Sequence, residues 1–180
     1  GDGADIIDGG IGNDTIDGGM DDDTITAGEG DDTVYGSAGE DTISGDAGDD
    51  YIDGGTGLDD ISGGLGDDTI DGGADDDTIT AGEGDDTVYG SAGDDTISGD
   101  AGDDYIEGGA DDDLISGGMG NDHVVGGSGD DTITGGEGQD VVEFLGSMAN
   151  FTVAAAANGT LTITDTTTME GTDVVSGVER

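Results

Sequence analysis

The side chains that could do chemistry in this chain are aspartates, and they recur with a strict period. From Asp5 onward every ninth residue is Asp: Asp14, Asp23, Asp32, Asp41, Asp50, Asp59, Asp68, Asp77, Asp86, Asp95, Asp104, Asp113, Asp122, Asp131 and Asp140. Two positions beyond each stands an isoleucine or valine, from Ile7, Ile16 and Ile25 to Ile133 and Val142. Ahead of each lies a glycine-rich hexad, as in GGIGND (9–14), GGLGDD (63–68), GGSGDD (126–131) and GGEGQD (135–140). Carboxylates combined with the carbonyls of glycine turns make an all-oxygen donor set, the kind that hard cations take. Covalent or acid–base catalysis finds little to work with. There is no cysteine, and the single histidine, His123, has no nucleophile at a matching spacing. It replaces a threonine of the repeat, so it is expected to be an outward strand residue, and the chain is expected not to be an enzyme.

Holding such a series in place requires a repeating element. Polar and apolar residues alternate around each aliphatic, the pattern of a very short strand, and the hexad reads as a turn. Each nine-residue unit therefore divides into a six-residue turn and a three-residue strand, and two units close one 18-residue coil of a flattened parallel solenoid. Asp5, Asp23 and Asp41 begin a column on one side, and Asp14, Asp32 and Asp50 begin a column on the other. Successive coils stack at the strand spacing of roughly 4.8 Å, so carboxylates in a column repel one another unless cations lie between them. Calcium suits such gaps, taking oxygen ligands at about 2.3–2.6 Å, whereas magnesium demands stricter octahedral geometry and zinc prefers histidine and cysteine. Eight carboxylates per column leave seven gaps on each side, and hence room for up to about fourteen calcium ions.

Glycine lets the turns adopt positive φ and aim their carbonyls inward, yet several hexads lack a glycine. Asp21, Asp75 and Asp111 stand at the fourth position, Ser37, Asp46, Ser91 and Asp100 at the second, and Ala27 and Ala81 at the first. Carbonyl ligation does not depend on side-chain identity, and Asp is among the few other residues that tolerate left-handed φ.

Composition sharpens the problem. Forty-seven acidic residues face a single basic one, for a net charge of −46, with 42 glycines and 3% aromatic residues. Low hydrophobicity with high charge is the signature of disorder, but here the order of the residues argues otherwise. Residues 14–67 match 68–121 at 45 of 54 positions, a duplicated block of six nonapeptides. One aliphatic residue in nine offers a thin core against the entropy of ordering the chain, so the metal-free chain is expected to be unfolded. Nucleic acid and anionic membrane surfaces are disfavoured partners, because both are bound by basic patches. No apolar run is long enough to insert into a membrane. The first residue is Gly1 rather than Met and the last is Arg180, so the chain is expected to be a segment of a longer polypeptide.

The tandem nonapeptide, G-G-x-G-x-D-x-U-x with U a large aliphatic, resembles the RTX (repeats-in-toxin) calcium-binding family over about residues 1–142. The resemblance implies an all-β fold, a parallel β-roll with each ion between adjacent loops of one side. The motif Asp would supply a carboxylate and loop carbonyls the rest. Carried onto this chain, the second-position carbonyls are those of Gly1, Gly10, Gly19, Gly28, Ser37, Asp46, Gly55, Gly64, Gly73, Gly82, Ser91, Asp100, Gly109, Gly118, Gly127 and Gly136. The fourth-position carbonyls are those of Gly3, Gly12, Asp21, Gly30, Gly39, Gly48, Gly57, Gly66, Asp75, Gly84, Gly93, Gly102, Asp111, Gly120, Gly129 and Gly138. Within GDAGDDYIDGG (45–55), Asp50 is then the shared carboxylate, Asp46 a carbonyl donor, and Asp49 and Asp53 outward charges without a site.

The period ends after Asp140, and 1–143 is expected to form the roll with 144–180 as a capping segment. FTVAAAANGTLTITD (151–165) reads as a β-hairpin turning at Asn158-Gly159. Phe144, Leu145, Phe151, Leu161 and Ile163 would cover the open end of the roll, and GTDVVSG (171–177) echoes a repeat out of register. The tail resembles the C-terminal flank that caps RTX repeats. On the odd side the flanking strand residues are hydroxyls, such as Thr78/Thr80 and Thr96/Ser98, interrupted by Asp60 and Leu114. Such an array resembles the ice-binding face of some solenoid antifreeze proteins, though Thr is also simply a good strand residue. The even side carries Tyr35, Tyr51, Tyr89 and Tyr105. The expected function is a non-catalytic module that folds on calcium. Family resemblance places it in a protein exported by type I secretion from a Gram-negative bacterium, secreted or on the cell surface, beside other domains of that exoprotein. Two alternatives are a spacer or adhesive segment of a large surface adhesin or surface-layer protein, and the C-terminal module of a secreted protease, lipase or epimerase.

Overall fold

The aliphatic that recurs every nine residues has one place to go, inward, and the backbone winds to put it there. The structure, a computed structural model, describes residues 1–144, 151–155, 161–165 and 171–178. Strands β1 (Ile6–Ile11), β2 (Thr15–Met20) and their successors to β15 (Thr132–Glu137) each run six residues and start nine after the one before, and β16 (Val141–Glu143) closes the series. Among β1 to β16, odd strands pair in parallel with odd and even with even, 18 residues apart: Ile7 lies beside Ile25, and Ile16 beside Val34. The result is an all-β parallel solenoid of 18 residues per coil, with an aliphatic core to which both sheets contribute. That core is the motif aliphatic, and Ile25, Ile52, Ile70, Ile97 and Ile133 are among the fully buried members.

Strands are twice as long as the three residues expected. Loops stack in the same 18-residue register as strands, so their backbone groups also find partners in the neighbouring coil. Pairing runs on through the second and third hexad positions, as in Gly10 with Gly28 and Ile11 with Glu29. The fourth-position amide continues it, as in Gly48 N–H to the Leu65 carbonyl at 2.9 Å.

At the C-terminal end the expected hairpin is present: β17 (Phe151–Ala155) is antiparallel to β18 (Leu161–Asp165). Asn158-Gly159 and Leu145 lie outside the described residues. The odd sheet then continues from β15 through β19 (Thr172–Ser176) to β18 and β17, eleven strands among the described residues, against eight in the even sheet. Ile163 and Val175 join the core, with Phe144 and Val178 packed against it. On the outer faces, Tyr35 and Tyr51 lie 6.1 Å apart. His123 is half-exposed, edge-on to Tyr105 at 5.3 Å, with Nε2 3.0 Å from Glu143. Thr78, Thr80, Thr96, Ser98 and Thr134 share one outer groove with Leu114.

Candidate metal centre

Each loop is shaped by backbone conformation before any side chain acts. Second- and fourth-position glycines hold positive φ, such as Gly28 at 118° and Gly30 at 127°. The non-glycine substitutes hold it too: Asp21, Ser37, Asp46, Asp75, Ser91, Asp100 and Asp111 lie between 70° and 82°. They sit in the left-handed well that Asp reaches most easily, which is how irregular hexads keep the regular turn. The second- and fourth-position carbonyls point along the solenoid toward the following coil. A Cβ added to Gly64 would lie 2.3 Å from the Asp46 oxygen, and one on Gly66 would lie 2.2 Å from the Gly48 oxygen. Asp46 therefore presents its carbonyl to the gap, while its side chain turns away to accept from Ser44 Oγ at 2.5 Å.

The motif carboxylates line up as expected, and their two oxygens part company. One oxygen, Oδ1, accepts from the backbone N–H of the motif Asp one coil earlier, as in Asp50 N–H to Asp68 Oδ1 at 2.9 Å and Asp68 N–H to Asp86 Oδ1 at 2.8 Å. The other, Oδ2, is buried without a hydrogen-bond partner in every motif Asp from Asp14 to Asp140. A buried carboxylate oxygen left unpaired costs free energy, and here the omission is repeated at each coil. Beside most Oδ2 atoms space exists because glycine stands at the first hexad position, while Asp32 and Asp86 have Ala27 and Ala81 there. A Cβ on Gly63 would come within 2.4 Å of Asp68 Oδ2 and 2.6 Å of the Ala81 carbonyl oxygen. Among the described residues no three Asp, Glu, His or Cys side chains converge on one point, so a cation here must draw on carbonyls as well. An unpaired carboxylate oxygen, a facing carbonyl and a cradle kept open by glycine form an oxygen-only donor set, which fits calcium.

A family model for the RTX calcium-binding nonapeptide repeat matches residues 1–34, 26–61, 53–88, 80–115, 89–124 and 116–145. The chain belongs to the RTX calcium-binding repeat family. Its fold is accordingly an RTX β-roll, and RTX repeats bind calcium. No curated protein matches the chain.

Burial sets the electrostatics of this RTX roll. Without a cation, desolvation pushes Asp68, Asp77, Asp104 and Asp113 up to about 7, and Asp50, Asp59, Asp86 and Asp95 up to about 6. The backbone N–H on Oδ1 opposes the rise, and nearby carboxylates add to it, as Asp86 and Asp50 do at Asp68. Carboxylates whose charge is penalised by burial are ones for which a bound cation has most to offer.

Sequence reasoning missed three features of the RTX loops. First-position carbonyls, such as that of Ala81, face the unpaired Oδ2 of the coil before. Their regularity was visible, but not the direction in which they point. The fifth-position acids, treated above as outward charge, form a second ladder: Asp49 Oδ1 accepts from Asp67 N–H at 3.0 Å, and Asp67 Oδ1 from Asp85 N–H at 2.9 Å. Finally Asp173, in the segment read as out of register, is buried and accepts from the Asp131 N–H.

Proposed function

We propose that this RTX segment is a non-catalytic module that folds when calcium binds, carried by a secreted or cell-surface bacterial protein. The observation that carries this reading is the series of buried, unpaired Oδ2 atoms. Each motif Asp from Asp5 to Asp140 contributes a carboxylate to a gap between coils. The second- and fourth-position carbonyls complete the ligand set, with up to about fourteen ions in all. Repulsion among 47 acidic residues keeps the chain open where calcium is scarce, and binding free energy becomes folding free energy where it is plentiful. Such a chain suits type I secretion, passing out unfolded and folding outside. Far-ultraviolet circular dichroism during calcium addition tests it. In chelator at neutral pH the spectrum is that of a coil, and millimolar calcium, but not magnesium, converts it to β. A chain already β-rich in chelator sinks the proposal.

The duplication of 14–67 as 68–121 favours a second reading, a spacer in a surface adhesin. Repeats that only stack can lengthen without disturbing a partner domain. Pulling single molecules with and without calcium tests this, since a spacer should lengthen at a calcium-dependent force.

A further inference from the structure

The family repeats end near residue 145, but the column of carboxylates does not. Segment 171–177 rebuilds a coil after a detour. Asp131 N–H donates to Asp173 Oδ1 at 3.1 Å, 42 residues away instead of 18. Val174 N–H reaches the Asp131 carbonyl and Thr172 N–H reaches Asp130 Oδ1, both at 2.8 Å, so both carboxylate ladders gain a rung. Gly171 holds positive φ above Gly129 as a fourth-position glycine does. Val175 lies buried beside Ile133 in the place of the motif aliphatic.

The direction of the unpaired oxygen decides what this rung is for. One coil earlier, Asp113 Oδ2 shares its cradle at Gly108 with the Gly126 carbonyl of the following coil. Asp131 Oδ2 occupies the same place at Gly126 and is buried without a hydrogen-bond partner, and in the same loop the Gly129 carbonyl points at Gly171 of the tail. We propose that Asp131 and Asp173 bound a further slot for a hard divalent cation, calcium by preference, and that this ion fastens the C-terminal segment to the roll. The slot is discontinuous in sequence, so filling it requires the tail to dock, and docking is favoured by filling it. This inference rests on the calcium reading of the roll.

The test compares the full chain with Asp131→Asn, which keeps an oxygen for the Asp113 N–H and places an N–H₂ where Asp131 Oδ2 stood. Bound calcium per chain is counted by equilibrium dialysis, and amide exchange is followed at Thr172 and Val174. The expected result is one ion fewer and faster exchange at those two amides, with interior coils still protected. Equal calcium counts overturn the slot whatever the exchange shows. Should the variant not form the roll, the parent decides: its Thr172 and Val174 amides must gain protection as calcium is added, and their remaining open at saturation overturns the proposal. A parent chain that binds no calcium removes the calcium reading itself, and this inference with it.

Discussion

At the scale of single residues, the motif Asp and its neighbour have different duties although both are Asp in most repeats. Asp68 offers Oδ1 to a backbone amide and leaves Oδ2 unpaired in a buried cradle. Asp67 is exposed and uses Oδ1 to accept from Asp85 N–H. Asp68→Asn keeps the amide acceptor but places an N–H₂ where a cation needs an oxygen. It should remove bound calcium and lower the stability of the loaded roll by about 2–4 kcal/mol. Asp67→Asn should change stability by no more than about 0.5 kcal/mol. Calcium titration calorimetry with urea unfolding in saturating calcium checks the contrast, and equal effects would show that the two columns share one role. The motif Asp was legible because its identity never varies. The fifth position holds Asn13, Glu40, Leu58 and Gln139 among its acids, and its ladder is a relation between coils that no single repeat displays.

At the scale of elements, an exposed strand edge is the weak point of any open sheet. The hairpin and β19 cover the edge of β15, adding Ile163 and Val175 to the core. A chain ending at residue 144 would leave β15 unpaired on one side. It is expected to need severalfold more calcium for half-folding, roughly 1 kcal/mol in the folding equilibrium, and to self-associate once folded. Circular dichroism with sedimentation velocity checks both, and a truncated chain that folds at unchanged calcium and stays monomeric would deny the tail a capping role. Alternation revealed β17 and β18, since period two is a local signal. The role of β19 was not legible, because a strand five residues long declares its partner only through the edge it reaches.

At the scale of the whole molecule, mild acidity and calcium should act in the same direction. The buried carboxylates that sit at about 6 or 7 in the metal-free roll return toward the ordinary 3.8 when the chain unfolds. Between roughly pH 4 and 7 the roll therefore holds protons that the unfolded chain has released, and its metal-free stability falls as pH rises through that window. Above about pH 5 neither the unfolded chain nor the calcium-loaded roll holds those protons, so folding onto calcium displaces none, and the concentration needed should not rise between about pH 7.5 and pH 5.5. In chelator, more β structure is expected near pH 4 than near pH 8. With calcium added, the folding midpoint should be no higher at about pH 5.5 than at about pH 7.5. A chelated chain with no more β structure near pH 4 than near pH 8 would deny the buried carboxylates their raised affinity for protons.

Much of this molecule was determined by its sequence alone. A nine-residue period sets coil size, strand parity, the aliphatic core and the two carboxylate columns, because each follows from side-chain identity at fixed spacing. Tertiary structure decided the rest. Stacking 18 residues apart assigned one oxygen of each motif carboxylate from Asp23 to Asp140 to a backbone amide and withheld partners from the other. It also recruited Asp173 as a rung 42 residues beyond Asp131. Both outcomes depend on which backbone groups come face to face across a gap, and a distant segment qualifies whenever its turn and its aliphatic match the open edge.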